Sequence, residues 1–332
     1  LQSRGLGDVY KRQALEWERE FLKSTSANME MMLGAFVDVY FQDKAGELKE
    51  RTIKNKQYMI EAHVLPYFAN KRMNEITPSD IIQWQNEMRA KGYSQTYLRM
   101  VQNQITALFT HACNIYNLGN NPCKKVKKMG KADADKLNFW TKAEYDSFIR
   151  GIDKESRYFV IFEILFWTGC REGEMLALTK SDIDFENNQI SITKTYYRTE
   201  RRDIITTPKT EQSIRVIDIP EFLKKEIEAY VNRCYGLPDN ERLFPIVAEA
   251  VQHKLKRECA KSGVKQIRVH DLRHSHVAYL INQGVQPLII KERLGHRDIK
   301  ITLNTYGHLY PNQQKKVADM LNATRNENAP AD

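Results

Sequence analysis

From Met29 to about Tyr116 the hydrophobic positions recur at helical spacing and strands find no support. Leu33, Phe36, Val37 and Tyr40 form one stripe, and Ile53, Ile60 and Val64 form a second that ends near Pro66. Thr77-Pro78-Ser79-Asp80 reads as a helix start, with threonine as cap, proline in the first turn and a carboxylate three residues on. Ile81, Trp84, Gln85 and Met88 make the buried face behind it, and Gly92 closes that helix. Tyr97, Val101, Ile105, Leu108 and Ala112 stripe a fourth. Short polar turns join these elements, which predicts a small helical bundle.

The pattern then changes. Between Pro122 and Leu137 apolar periodicity disappears and lysines dominate, Lys124, Lys125, Lys127 and Lys128 among them. That composition reads as a basic linker, either a solvated tether or a track for a phosphate backbone. A second domain opens at Thr141, where T-K-A-E forms a capping box. Arg157 to Thr168 is a strongly apolar helix stopped by Gly169. Gln189 to Tyr197 and Ser213 to Ile219 alternate like strands, with Ile214, Val216 and Ile219 compatible with opposing schemes of burial. Helical patterns resume at Glu221, Ile246 to Ser262, Asp271 to Asn282, and Pro287 to Leu294 with Gly295 after it. The fold class is therefore mainly α with a small antiparallel sheet, in two domains.

Length and charge narrow the partners. A chain of 332 residues exceeds one typical core, and 42% hydrophobic content excludes a disordered protein. Lys and Arg outnumber Asp and Glu 51 to 42, a balance of +9 that favours a polyanion. The longest apolar run, Tyr158 to Trp167, is too short to span a bilayer, no signal peptide is visible, and a cytoplasmic setting without membrane association is expected. Five scattered cysteines without a C-x-x-C pair fit reduced, idle thiols. Residues 1–13 lack periodicity and are set aside from the fold.

The chemistry gathers towards the C-terminus. His270-Asp-Leu-Arg273-His274 places three basic groups on one helical face, and backbone N–H groups at a helix start favour an anion. Leu294-Gly-His296 and Thr305-Tyr306-Gly-His308 follow. His270 and His274 also have the spacing of metal ligands, but Arg273, Arg293 and Arg297 interleave and would repel a dication. Phosphate is the better ligand, and no metal or other cofactor is expected. Upstream, Arg171 follows the Gly169 helix stop, where rigid elements hold it as a phosphate clamp should be held. Glu174 either orients Arg171 or caps the next helix. Lys209 lies in Thr207-Pro208-Lys209-Thr210, a turn between strand-like segments that can reach a ligand. Tyr306 is the candidate nucleophile, with Tyr310 as its neighbouring alternative.

The ordered set T-G-C-R171, T-P-K209-T, H270-D-L-R273-H274, L-G-H296 and T-Y306-G-H308 resembles the tyrosine recombinase (phage integrase) family. The likeness is greatest to integrases of prophages and conjugative transposons. It implies a helical core-binding domain at 29–121, a linker at 122–138, a mixed α+β catalytic domain at 139–325 and a tail at 326–332. Residues 1–28 would be an N-terminal remnant, either the end of an arm-binding domain or a non-native extension. The implied reaction is site-specific DNA recombination through a 3′-phosphotyrosyl intermediate that integrates or excises a mobile element. The alternatives are a type IB topoisomerase-like relaxing enzyme and a non-catalytic DNA-binding regulator. Implied roles are Arg171, Arg273 and His296 on the scissile phosphate, His270 as base or phosphate ligand, Lys209 as general acid and Tyr306 as nucleophile. Glu174 and His274 would support them, His274 without an assigned step. Implied partners are duplex attachment sites, three further copies in a DNA-bound tetramer, and accessory DNA-bending or excision proteins. The family also suggests that the segment 312–324 packs on a neighbouring protomer.

Overall fold

The computed structural model describes residues 29–48, 50–131, 137–199, 201–208, 210–309 and 318. Residues 1–28, Lys209 and the segment 312–324, apart from Ala318, fall outside the described set. The chain divides into two compact units, Leu1–Asp135 and Lys136–Asp332.

In the first unit, helices α1 (Leu33–Lys44), α2 (Glu50–His63), α3 (Leu65–Phe68), α4 (Pro78–Ala90) and α5 (Gln95–Ile115) surround one core. The apolar stripes dictate it: Leu33, Phe36, Ile60, Ile81, Trp84, Val101, Ile105 and Leu108 are all buried. Helix α4 begins as its sequence requires. The Thr77 side chain accepts from Asp80 N, and Asp80 Oδ2 accepts from Thr77 N at 2.8 Å. Helix α2 ends at His63, shortly before Pro66, which sits in the first turn of α3.

The boundary between the two units falls within the basic segment 122–138, whose described first part is not a free tether. Residues 122–131 are packed on the bundle: Pro122–Lys125 forms a 3-10 turn capped by Asn121, and Cys123 and Met129 are 1% exposed. Gln85 Nε2 donates to the Lys127 carbonyl (3.0 Å) and Arg99 Nη2 to that of Gly130 (2.8 Å). Two apolar anchors and three backbone tethers (Lys131 N donates to the Gln95 carbonyl) outweigh the solubility of the lysines. Lys124, Lys125, Lys127 and Lys128 keep their heads exposed.

The second unit runs α6 (Lys142–Arg150), α7 (Arg157–Thr168), α8 (Glu172–Leu176), β1 (Ile183–Asp184), β2 (Gln189–Ile192), β3 (Thr195–Thr199), β4 (Arg202–Thr206), β5 (Arg215–Asp218), α9 (Glu221–Arg233), α10 (Ala248–Ser262), α11 (Asp271–Asn282), α12 (Pro287–Leu294) and α13 (Ile299–Tyr306). Helix α7 is apolar on nearly every face and buried from Phe159 to Phe166, the axis on which α9 and α11 pack. Strands β1, β2 and β5 form an antiparallel sheet in that order, with Ile190 opposite Ile217. The pleat decides the burial left open by the sequence: Ile217 and Ile219 point inward, while Ile214 and Val216 are half exposed. The strand expected over 189–197 is two strands. Lys194 Nζ turns to the Asp182 carboxylate (2.7 Å), and β3 leaves to pair with β4 in a separate hairpin, Tyr196 opposite Ile205. Among the described residues no helix is long and apolar enough to cross a membrane.

Candidate active site

Arg273 is the centre of the site. Its place in α11 turns the guanidinium into the protein, where it is 3% exposed. Nη1 donates to the Gly169 carbonyl (2.7 Å) and Nη2 to the Leu294 carbonyl (2.8 Å). These carbonyls belong to the C-terminal ends of α7 and α12, whose unpaired acceptors need donors. Gly169 closes α7 in the left-handed region at φ 64°, and a Cβ there would lie 2.6 Å from the His276 ring. Burial first, then the charge of Arg171, pulls Arg273 down to about 9, still protonated at neutral pH.

Tyr306, at the end of α13, is buried against Val277, Ile281, Ile290 and Leu294. Its hydroxyl lies 2.6 Å from His274 Nδ1. Burial pushes the phenol up to about 12, with Arg273 opposing the shift. His274 is held down at about 4, by burial first and then by His270, so its ring is neutral. Its Nε2 faces Asp271 at 4.0 Å. The histidine that meets the tyrosine is thus His274, for which the sequence offered no step. His270 caps α11 on the exposed side and touches the tyrosine only through His274, whose ring it meets edge-on at 5.2 Å. The i, i+3, i+4 spacing shows which residues share a face, but not which of two rings leans towards α13.

The open side is a cleft of about 500 Å³ lined by Arg171, His296, Arg297, Thr195, Pro208 and Thr210. Lys209 itself is outside the described residues, but its flanking residues border the cleft. His296 Nδ1 pairs with Thr302 Oγ1 at 2.8 Å, and burial together with Arg273 and Arg171 lowers its pKa to about 3. Arg171 gives Nη1 to Glu174 Oε1 at 2.6 Å and its backbone N–H to Oε2 at 2.9 Å. Glu174 therefore orients the arginine and caps the short α8 together. Among the described residues no group of three His, Cys, Asp or Glu side chains could hold a metal ion. Burial raises the Cys170 thiol to about 11, leaving it inert beside Arg171.

Three supporting residues escaped the sequence reading. Arg215, 6% exposed, reaches Glu174 Oε2 at 2.9 Å. Arg293 donates to His276 Nε2 and to the carbonyls of Asp218 and Trp167. Thr302 orients His296. None carries a spacing signal: the partners of Arg215 and Arg293 are remote in sequence, and Thr302 meets His296 across the turn between two helices.

Residues 138–313 match the Phage integrase family, and residues 32–89 match the N-terminal SAM-like domain of phage integrases. The chain belongs to the phage integrase family. It is a tyrosine site-specific recombinase of the prophage and conjugative-transposon type. The ICEBs1 integrase of Bacillus subtilis is 32% identical, over 94% of this chain and 89% of that protein. The transposase from transposon Tn916 of Enterococcus faecalis is 24% identical over 79% of this chain and 70% of its own length. Solved relatives share the fold. The Tn1549 transposon integrase in complex with a circular intermediate DNA superposes with a TM-score of 0.76 at 22% identity, covering 88% of this chain and 99% of that one. The lambda integrase tetramer bound to a Holliday junction gives 0.63 at 15% identity, covering 89% and 80%.

Proposed function

We propose that this recombinase cuts one strand of a duplex attachment site by attack of Tyr306 Oη on phosphorus. The new bond is P–Oη, the broken bond is P–O5′, and the products are a 3′-phosphotyrosyl link and a 5′ hydroxyl. The link stores the energy of the broken bond, so rejoining needs no ATP. His274, 2.6 Å from the hydroxyl, takes the phenolic proton as the P–Oη bond forms and the phenol oxygen turns acidic. Arg273 and Arg171 grip the non-bridging oxygens as charge builds, and His296 donates a further hydrogen bond. His270, open to solvent beside them, serves as a phosphate ligand rather than as the base for Tyr306. Lys209 protonates the departing 5′ oxygen, a role that rests on its sequence context and on the cleft bordered by Pro208 and Thr210.

The contact between Tyr306 and His274, in the same helix turn as buried Arg273, carries this reading. The exposed lysines 124, 125, 127 and 128 contact phosphates of the same duplex, so affinity falls steeply with salt. Strand exchange between two duplexes needs four such sites in a DNA-bound tetramer, assisted by accessory bending or excision proteins, and moves a mobile element in or out of a chromosome.

The test is a suicide duplex carrying the attachment site, nicked beside the cleavage point to trap the covalent complex. The wild-type chain yields an adduct and Tyr306→Phe yields none while still binding the duplex. An adduct with the phenylalanine variant would assign the nucleophile elsewhere, Tyr310 first.

A further inference from the structure

Arg171 must present N–H groups to the cleft while also bonded to Glu174. A carboxylate facing a guanidinium ordinarily closes on it with both oxygens, as a two-pronged fork. Here it does not. Glu174 Oε1 takes one Arg171 N–H, while Oε2 is occupied by the Arg171 backbone N–H and by Arg215 Nη2 at 2.9 Å. Glu174 and Arg215 are 3% and 6% exposed, whereas Arg171 is 39% exposed. Burial works against the Glu174 charge, but Arg215 first and Arg171 second outweigh it and hold the carboxyl below its ordinary range.

Arg215 has two further grips. Nε donates to the Arg293 carbonyl (2.8 Å) and Nη1 to the Ser213 carbonyl (3.0 Å). One buried cation therefore touches the start of α8, the strand entry that follows Pro208–Thr210, and the last turn of α12 before His296. The turn is pressed against it: a Cβ on Gly295, at φ 66°, would lie 3.0 Å from Arg215 Cδ and 2.9 Å from the Gln212 carbonyl.

We propose that Arg215 is a positioning residue for strand cleavage: it occupies Glu174 so that Arg171 stays singly bonded and aimed into the cleft, and it fixes the turn that carries His296. Without Arg215, Glu174 either takes a proton and releases Arg171 or closes on it and turns its N–H groups away from the cleft. The inference rests on reading Arg171 and His296 as phosphate ligands.

Arg215→Met and Arg215→Lys in the full chain test it, with thermal melting as the check on folding. On the suicide duplex, Arg215→Met should cut about thirtyfold more slowly in a single turnover while duplex affinity stays within about threefold, since the loss falls on the transition state. Arg215→Lys keeps the charge on Glu174 and should recover part of the rate. The cleavage rate of Arg215→Met should also acquire an acid-side step as Glu174, faced by Cys170, Arg171 and Arg273, begins to titrate. The 15N signal of Arg171 Nε–H in the DNA-free protein should move in Arg215→Met, whatever reaction the site performs. A folded Arg215→Met variant with an unmoved Arg171 signal and a rate within about threefold of wild type overturns the proposal. Should Arg215→Met fail to fold, Arg215→Lys decides: an intermediate rate at unchanged affinity supports the role, and a wild-type rate removes it. If the wild-type chain forms no adduct, the assigned reaction fails, while the Arg171 signal still judges Arg215.

Discussion

Helices α7 and α11 pack against each other and are both largely buried, yet they are held by opposite means. Helix α7 presents Phe159, Val160, Ile161, Phe162, Ile164, Leu165 and Phe166 to the core, and the hydrophobic effect does most to place it; its one buried carboxylate, Glu163, accepts from Tyr145 Oη and Trp167 Nε1, both at 2.8 Å. Helix α11 buries Asp271, Arg273, Ser275 and His276 beside Leu272, Val277 and Ile281. Its polar groups are paired one by one. Asp271 holds Arg268 (2.7 Å), Arg273 holds two carbonyls, Ser275 Oγ donates to the Asp271 carbonyl (2.8 Å) and accepts from Trp140 N (2.9 Å), and His276 accepts from Arg293. A helix that must present charge to a phosphate cannot be secured by apolar contacts on the same face. It is secured by backbone acceptors offered from neighbouring elements, and α7 is the rigid body that offers one of them.

The contrast is broken most severely at Arg273. Arg273→Gln should lower single-turnover adduct formation by about a thousandfold or more, as loss of a transition-state charge contact does, while duplex binding persists. Full activity in that variant would remove Arg273 from the site. On the other helix, Phe162→Ala should cost about 3–5 kcal/mol in urea unfolding, the usual range for a fully buried aromatic. Its cleavage rate, measured where the protein remains folded, should change little. A rate loss as large as that at Arg273 would mean that α7 does more than supply a scaffold.

The two helices also differed in how far they could be read from sequence. Helix α7, both glycine stops and the bundle stripes follow from periodicity, because burial there is apolar and local. The candidate site residues Arg171, Arg273, His296 and Tyr306 stand out by their order along the chain. The partner of Tyr306 does not, since the choice between His270 and His274 depends on how α13 docks. Arg215 was invisible for a similar reason: an arginine opening an edge strand usually faces solvent, and only the fold brings it to Glu174. The packing of the lysine-rich stretch was not legible because two buried residues, Cys123 and Met129, decide its path against a larger number of charges.

Acid should separate the helices further. His274 at about 4, His296 at about 3 and His276 well below its ordinary range are neutral in the folded chain. Unfolded histidine takes up its proton near pH 6.5, so the unfolded state binds more protons as pH falls below that value. Stability should be unaffected above about pH 7 and decline from about 6.5 towards 4, with a slope of up to about 1.4 kcal/mol per pH unit for each histidine. Unfolding curves between pH 7.5 and about 4.5 check it, and a flat profile would mean that these rings are protonated in the folded protein. The smallest effect is expected at Ser275→Ala, which strips the Trp140 N–H of its acceptor and should cost about 1–2 kcal/mol. No measurable loss there would show that water replaces the hydroxyl.

The two carbonyls that hold Arg273 have one more consequence. They sit at the C-terminal ends of α7 and α12, where aligned peptide dipoles leave about half a negative charge each. Among the described residues no carboxylate pairs with Arg273, so its countercharge is built from backbone. An ion pair would have to be weakened before a phosphate could claim the guanidinium. A backbone cradle imposes no such exchange: Glu174 supports the charge of Arg273 without an ion pair, the cation stays fixed in place, and a phosphate reaching it, as proposed, would have no carboxylate to displace.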